Sequence, residues 1–381
     1  MTALTGLTRL TTWRRRSSWL AMLLAAFVFI GGSFIASGGA QAAPVTASVE
    51  AGANATMVAT APTYGVPHEI SKVILPATSA DGPALWTQRG PSYPVGPLAV
   101  LAWTKTTGQL AYEATNDGVT FFGQTTLAET SFVRPAVVRG TGEGAVVAPI
   151  ALAWTGTDAG HHLNVRYAVP GASPLKLTLW QDNSFTSPAL EWFNSTTLLL
   201  AWAGTDAGHA LNVLPVSITD HGLVPGTKTT LWTFHSAGQP ALITDYSVTP
   251  TPGRFFLGWS DMTSHRLAWA VSPDGKTWTP QSPFNEWSGA GPSMMGLNEQ
   301  LAHMPPYWLG WTGLDAAHHV NVQYALTLGQ WPTTSVKATL PETAVGGTVV
   351  GFFLSMHDNQ MLVAWTGTDA AHHLNVAWIG V

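Results

Sequence analysis

A motif that returns six times constrains this chain more than any other feature. The segment LAWTGTDAGHHLNVRYA at 152–168 recurs as LAWAGTDAGHALNVLPV at 200–216, LGWTGLDAAHHVNVQYA at 309–325 and VAWTGTDAAHHLNVAWI at 363–379. Weaker copies are LAWTKTTGQLAYEA at 101–114 and LGWSDMTSHRLAWAV at 257–271. Their tryptophans, Trp103, Trp154, Trp202, Trp259, Trp311 and Trp365, lie 51, 48, 57, 52 and 54 residues apart. A second element interleaves with the first, as in TTLAETSFVRPAV at 125–137, and its prolines Pro83, Pro135, Pro188, Pro240 and Pro292 step by 52, 53, 52 and 52 residues. A period of this length, built from short β-branched and aromatic runs broken by Gly, Asp, Asn and Pro, marks a propeller blade and not a helical repeat. Each unit divides into four strands. Strand A follows the proline, B carries Leu-Ala-Trp, C carries Leu-Asn-Val, and D runs through Thr-Leu into the next Glu-Thr-Ser loop.

The expected fold is therefore all-β, a six-bladed β-propeller of four-stranded blades. The repeats open with a D-type strand (Ser71 to Leu75) and end on a C-type strand (His373 to Ile379), so the first strand is expected to complete the last blade and close the ring. Closure removes the open sheet edges that would otherwise pair with other chains. A chain without cysteine then needs no disulfide staple, and it has neither thiolate ligands nor a cysteine nucleophile.

Residues 1–42 read as an export signal: Arg14, Arg15 and Arg16, an apolar run from Trp19 to Ile30, and Ala40-Gln41-Ala42 before Ala43. The apolar run extends through Phe34, Ile35 and Ala36 to about the length of a membrane span, which leaves an uncleaved anchor as the alternative. Residues 43–68 read as an Ala/Thr/Val-rich linker, and 69–381 as the propeller. The protein is expected to be secreted or, with the anchor, held on the outer side of a membrane. Cleavage would remove four of the 16 Lys+Arg and none of the 21 Asp+Glu, leaving a net charge of −9. That acidity argues against nucleic acid as a partner.

The repeats resemble those of secreted bacterial propellers of the sialidase-like, Asp-box type and of propeller lectins. Ser272-Pro273-Asp274-Gly275-Lys276-Thr277-Trp278 resembles an Asp box with one residue fewer, and Asn116-Asp117-Gly118-Val119-Thr120-Phe121 is a fainter copy. In that family the box is a turn between strands C and D. A sialidase-type activity would imply three arginines around a carboxylate, an acid Asp and a Tyr–Glu nucleophile pair. Only Arg89, Arg134, Arg139, Arg166, Arg254 and Arg266 follow the leader, and Arg134 stands directly before Pro135, where other repeats place Gly, Ser or Gln.

Binding residues are sought in the Thr-Asp-x-x-His-His turn between strands B and C. Asp158, His161 and His162, Asp206 and His209, Asp315, His318 and His319, and Asp369, His372 and His373 form the candidate set. Two readings stand: the carboxylate caps backbone N–H groups of a hairpin, or Asp and His bond a ligand at the rim. Adjacent histidines diverge and no third ligand type accompanies them, so neither a metal nor a cofactor is expected. The strand-B tryptophans read as plugs between blades, and Trp86, Trp180, Trp232, Trp287 and Trp308 as candidate platforms. Glu113, Glu129, Glu191, Asp245, Glu286 and Glu342 read as non-repeated acids without a distinctive flanking motif, and no Gly-x-Ser-x-Gly elbow occurs. The reading is of a non-catalytic binding module for a glycan or a cell-surface polymer, with a surface protein as the other candidate partner. Its alternatives are a glycoside hydrolase with one axial site and a protein-binding or structural propeller.

Overall fold

The computed structural model describes residues 64–87, 98–140, 148–245, 254–296, 305–327, 331, 335–352 and 360–381, all within one compact unit, Ala61–Val381. The expected leader, and the linker up to residue 63, lie outside the described residues. Strands and turns make up the fold, with no helix among the described residues.

Each repeat folds as an antiparallel meander. β1 (His68–Thr78) precedes repeat 1, which comprises β2 (Ala84–Thr87), β3 (Ala99–Thr104), β4 (Gln109–Thr115) and β5 (Phe121–Thr130). Repeat 2 is β6 (Ala136–Arg139), β7 (Ile150–Thr155), β8 (His162–Ala168) and β9 (Leu175–Asn183). In repeat 3, β10 (Ala189–Asn194), β11 (Thr197–Ala203) and β12 (Ala210–Thr219) are followed by β13 (Gly222–Pro225) and β14 (Thr229–His235), which share the outer edge of β12. Repeat 4 is β15 (Ala241–Asp245), β16 (Arg254–Ser260), β17 (Leu267–Ser272) and a two-residue β18 (Thr279–Pro280). Repeat 5 begins with β19 (Pro292–Gly296), β20 (Tyr307–Thr312) and β21 (His319–Ala325). β22 (Val336–Phe352) is the outer strand of repeat 5 in its first half and the inner strand of repeat 6 in its second. It then pairs with β23 (Gln360–Gly367), followed by β24 (His373–Gly380).

The chain's two ends meet in one sheet. β1 lies antiparallel on β24, with Val73 opposite Val376 and Ile74 opposite Asn375. This strand is longer than the five residues expected from sequence, and packing starts ahead of it: Tyr64 lies edge-on against Tyr324, whose hydroxyl donates to Gly65 O at 2.9 Å.

Core residues sit between neighbouring repeats. One cluster joins Val100 and Leu110 to Val137, Leu152 and Trp154, and the next joins Ala153 and Leu163 to Leu198, Leu200 and Trp202. The pattern continues around the molecule until Leu362 and Leu374 of repeat 6 pack against Leu101 and Trp103 of repeat 1. Each strand-B tryptophan thus faces the preceding repeat, and all six are 5 % exposed or less, as expected of a plug. Strands such as β3 are buried at every position because both sheet faces are covered, while outer strands such as β5 leave one side in water. The inner strands touch in succession, β2 to β6, β10, β15, β19, β22 and back to β2.

Candidate functional site

The B–C hairpins are built on one backbone device. In repeat 2 the N–H of His161 donates to Asp158 O at 2.9 Å, and the chain then passes through a left-handed residue, His161, at φ 51°. His209, His265, His318 and His372 occupy the same conformation, and repeat 1 places Gly108 there at φ 85°. This is a glycine position by default. In three of the five repeats the histidine ring lies against its own turn: His209 Nδ1 is 2.9 Å from Gly204 O, and His161 and His318 make the same approach at 3.4 and 3.3 Å, while the His372 Nδ1 atom is buried without a hydrogen-bond partner. The His161 and His209 rings also pack at a tilt against Phe132 and Phe185 from the D–A loops. The left-handed turn aims its carbonyl at the next loop, where Ser184 N–H donates to His161 O, Ser236 to His209 and Ser288 to His265. B–C hairpins and D–A loops therefore share one face.

The second histidine does something different. His162 Nδ1 is 2.5 Å from Asp158 Oδ1, His319 Nδ1 2.6 Å from Asp315 Oδ1, and His373 Nδ1 2.8 Å from Asp369 Oδ1. Each carboxylate also receives backbone N–H groups of its own turn, from Gly160 and His162 in repeat 2. Partial desolvation pushes these carboxyls up, but the ring and backbone donors outweigh it and hold Asp158, Asp315 and Asp369 below the ordinary range. With Nδ1–H given to the carboxylate, Nε2 is the ring's other polar atom. Asp206 keeps the backbone bonds, but Ala210 replaces the second histidine, and His235 from β14 reaches Gly208 O instead at 2.9 Å.

Sequence reading missed the partners of this turn. Glu129, Glu286 and Glu342, read above as non-repeated acids, occupy one register, two residues before the start of the D–A loop, and Asp182 shares it. Each is paired with a lysine on the outer strand of the following repeat or just ahead of it: Glu129 with Lys176, Asp182 with Lys228 at 2.6 Å, Glu286 with Lys337 at 2.6 Å and Glu342 with Lys72 at 2.6 Å. Burial raises the Glu129 carboxyl, and Lys176 and its other donors more than reverse this. The signal was present in the second repeated element but was masked by Phe234 and Ala77 at the same register.

Between repeats 4 and 5 these groups line a cleft of about 490 Å³, with Glu286, Trp287, Asp315, His319, Asn321 and Lys337 on its walls. The Lys337 ammonium also sits 5.1 Å from the Trp311 ring centroid, a cation–π contact. The full set of acid, lysine, aspartate and histidine recurs in register at Glu129, Lys176, Asp158 and His162, and at Glu342, Lys72, Asp369 and His373. An exposed indole, polar groups of both signs and a walled cleft suit a polyhydroxylated ligand, whose sugar face stacks and whose hydroxyls both donate and accept.

Of the candidate platforms, Trp180 and Trp232 are about 70 % exposed (71 and 70 %) and Trp287 is 42 % exposed. Trp180 stands edge-on to His162 at 5.1 Å. Trp308, expected as a platform, is instead fully buried between repeats 5 and 6, with its indole N–H on Pro305 O. Trp86 is half-buried under Arg139. Glu191 is buried at the axis, in a cavity of about 100 Å³ lined by the inner strands, and Asp245 ends β15. Among the described residues no group of three or more His, Asp or Glu side chains converges as a metal site. The turns around Asp117 and Asp274 lie between strands C and D, where Asp274 Oδ1 accepts from Lys276 and Thr277 N–H at 2.9 and 2.7 Å.

No family model and no curated protein matches the sequence. Solved structures do. A protein of unknown function from Dyadobacter fermentans is 11 % identical, with 83 % of this chain and 99 % of that one covered at a TM-score of 0.58. The Aleuria aurantia lectin bound to α-methyl-L-fucoside is 9 % identical, with 80 % and 96 % covered at 0.55, and that lectin is described as a six-bladed β-propeller. A microbial sialidase, Hz136, is 13 % identical, with 79 % and 65 % covered at 0.50. At such identities the likeness shows the fold, a β-propeller.

Proposed function

We propose that this chain is a secreted, non-catalytic propeller that binds glycan in the clefts between its blades. The observation that carries the reading is the cleft beside Trp287, where an exposed indole, the Glu286–Lys337 pair and the Asp315–His319 pair meet in one walled space. Two further copies of the polar set lie in the same register, with Thr130 and Thr343 where Trp287 stands, so the reading is of three related sites on the face shared by B–C hairpins and D–A loops. The Aleuria lectin, solved with α-methyl-L-fucoside and with Fucα1-6GlcNAc, supports sugar as the ligand class.

The architecture in this reading is a closed ring of six blades over residues 69–381, with β1 as the outer strand of the sixth. The β1–β24 register and the hydrogen bond from Ser79 N–H to His372 O at 3.0 Å support closure. Residues 1–42 direct export, as a cleaved signal or as an anchor, and 43–68 tether the propeller.

A glycan array probed with the protein tests this. The reading expects selective binding that weakens when Glu286→Gln or Trp287→Ala is introduced, with unchanged melting. Hydrolysis of a bound glycan that disappears with one carboxylate substitution would replace the binding module with a glycosidase.

A further inference from the structure

The position before the repeat proline has six unequal occupants, Gly82, Arg134, Ser187, Gln239, Gly291 and, before Thr348, Gly347, of which Gly82, Arg134, Gln239, Gly291 and Gly347 crowd together. Gly347 makes room for two long side chains, while Gly82 and Gly291 admit neighbouring backbone. A Cβ on Gly347 would collide with Gln239 Nε2 and stand 2.7 Å from Arg134 Nη1, so the two donors converge over one backbone point. A Cβ on Gly291 would collide with Gln239 O, and one on Gly82 with Gly347.

The polar side chains at this position are deeply buried and chiefly donors. Arg134 is 7 % exposed, Gln239 3 % and Ser187 0 %. Gln239 Nε2 and Ser187 Oγ have no hydrogen-bond partner. The Arg134 side chain gives one hydrogen bond, from Nη1 to Pro83 O at 3.2 Å. Asp81 is the neighbouring carboxylate, and its oxygens already take the backbone N–H groups of Gly82 at 2.7 Å and Arg134 at 3.2 Å. Burial lowers the Arg134 pKa to about 10, with Asp81 opposing, so the guanidinium stays charged at neutral pH. Arg134 also lines the axial cavity of about 100 Å³. A buried cation beside unpaired donors is costly unless an acceptor joins it.

We propose that the axis holds a small inorganic monoanion of halide size, bound by Arg134 and Gln239, as an internal clamp on the D–A loops of different blades. Its depth excludes a sugar ring, so the site is separate from the clefts.

The test uses crystals grown in sodium bromide and melting in sodium chloride, gluconate or glucuronate at matched ionic strength. An anomalous bromide peak between Arg134 and Gln239 is expected, with a Tm that climbs with chloride over about 10 to 500 mM and stays flat in gluconate. Gln239→Glu supplies a built-in carboxylate to Arg134, and should melt in gluconate as the unaltered protein does in chloride, with no halide dependence. No axial peak, with the Gln239 amide oxygen turned to Arg134, would overturn the proposal. So would protection by glucuronate without chloride, or a halide dependence that survives Gln239→Glu.

Discussion

At the residue scale the two histidines of the repeated turn divide the work. The first is a backbone residue in a left-handed conformation, with its carbonyl given to the next loop in all five repeats that carry it. A non-glycine residue there costs roughly 1 kcal/mol. Replacing His161 with Gly is therefore expected to leave melting unchanged or raise it, whereas Asp158→Ala, which removes the acceptor for Gly160 and His162, should cost about 0.5–2 kcal/mol in denaturant unfolding. A larger loss from His161→Gly than from Asp158→Ala would show that the ring, not the backbone, holds the turn. Both the capping and the ligand readings of this motif were legible in sequence. The left-handed role of the first histidine was not, because a positive φ leaves no mark on residue type when histidine stands where glycine is the default.

Glu113 is the other residue with a consequence of its own. It is 8 % exposed, its Oε1 has no partner, and burial pushes its pKa to about 7 from an ordinary 4.5. The folded chain keeps this proton while the unfolded chain has already lost it, so stability falls as pH rises between those two values. Glu113→Gln is expected to raise Tm more at about pH 8 than at about pH 5. An equal gain at both values would remove Glu113 as the cause.

At the scale of elements, the loop serines link neighbouring blades. Ser184 gives its N–H to His161 O of repeat 2 and its hydroxyl to Ala203 O of repeat 3 at 3.0 Å, and Ser131 and Ser236 repeat the arrangement. The same bond at Ser79 joins the chain's two ends through β1. Deleting Ser71–Leu75 should then lower Tm and promote self-association, since it exposes the edge of β24 and removes Leu75, 5 % exposed, from the core beside Trp378. Unchanged melting would mean that β1 adds nothing to the last sheet. The strands themselves were readable from the repeat, with β22 continuous across two repeats and the added β13 as departures. Both depend on hydrogen bonding across a loop, which composition does not encode.

At the scale of the whole molecule, quasi-repetition brings identical turns together with unlike neighbours, and the neighbours decide which clefts are complete. The hairpins of repeats 2, 5 and 6 were distinguishable in sequence. Lys72, Lys176 and Lys337 were not, because each reaches an acid of a neighbouring repeat and has no fixed motif around it. Glu286 and Lys337 are 51 residues apart and Lys72 and Glu342 270, so only the blade-to-blade geometry pairs them.

Calorimetric titration of the strongest glycan from an array tests three-cleft binding most directly. The expected stoichiometry is near three, falling by one with each of His162→Ala, His319→Ala and His373→Ala, and binding should vanish in the triple variant while its Tm is retained. A stoichiometry of one, or full affinity in a folded triple variant, would contradict the account and move the ligand away from these clefts.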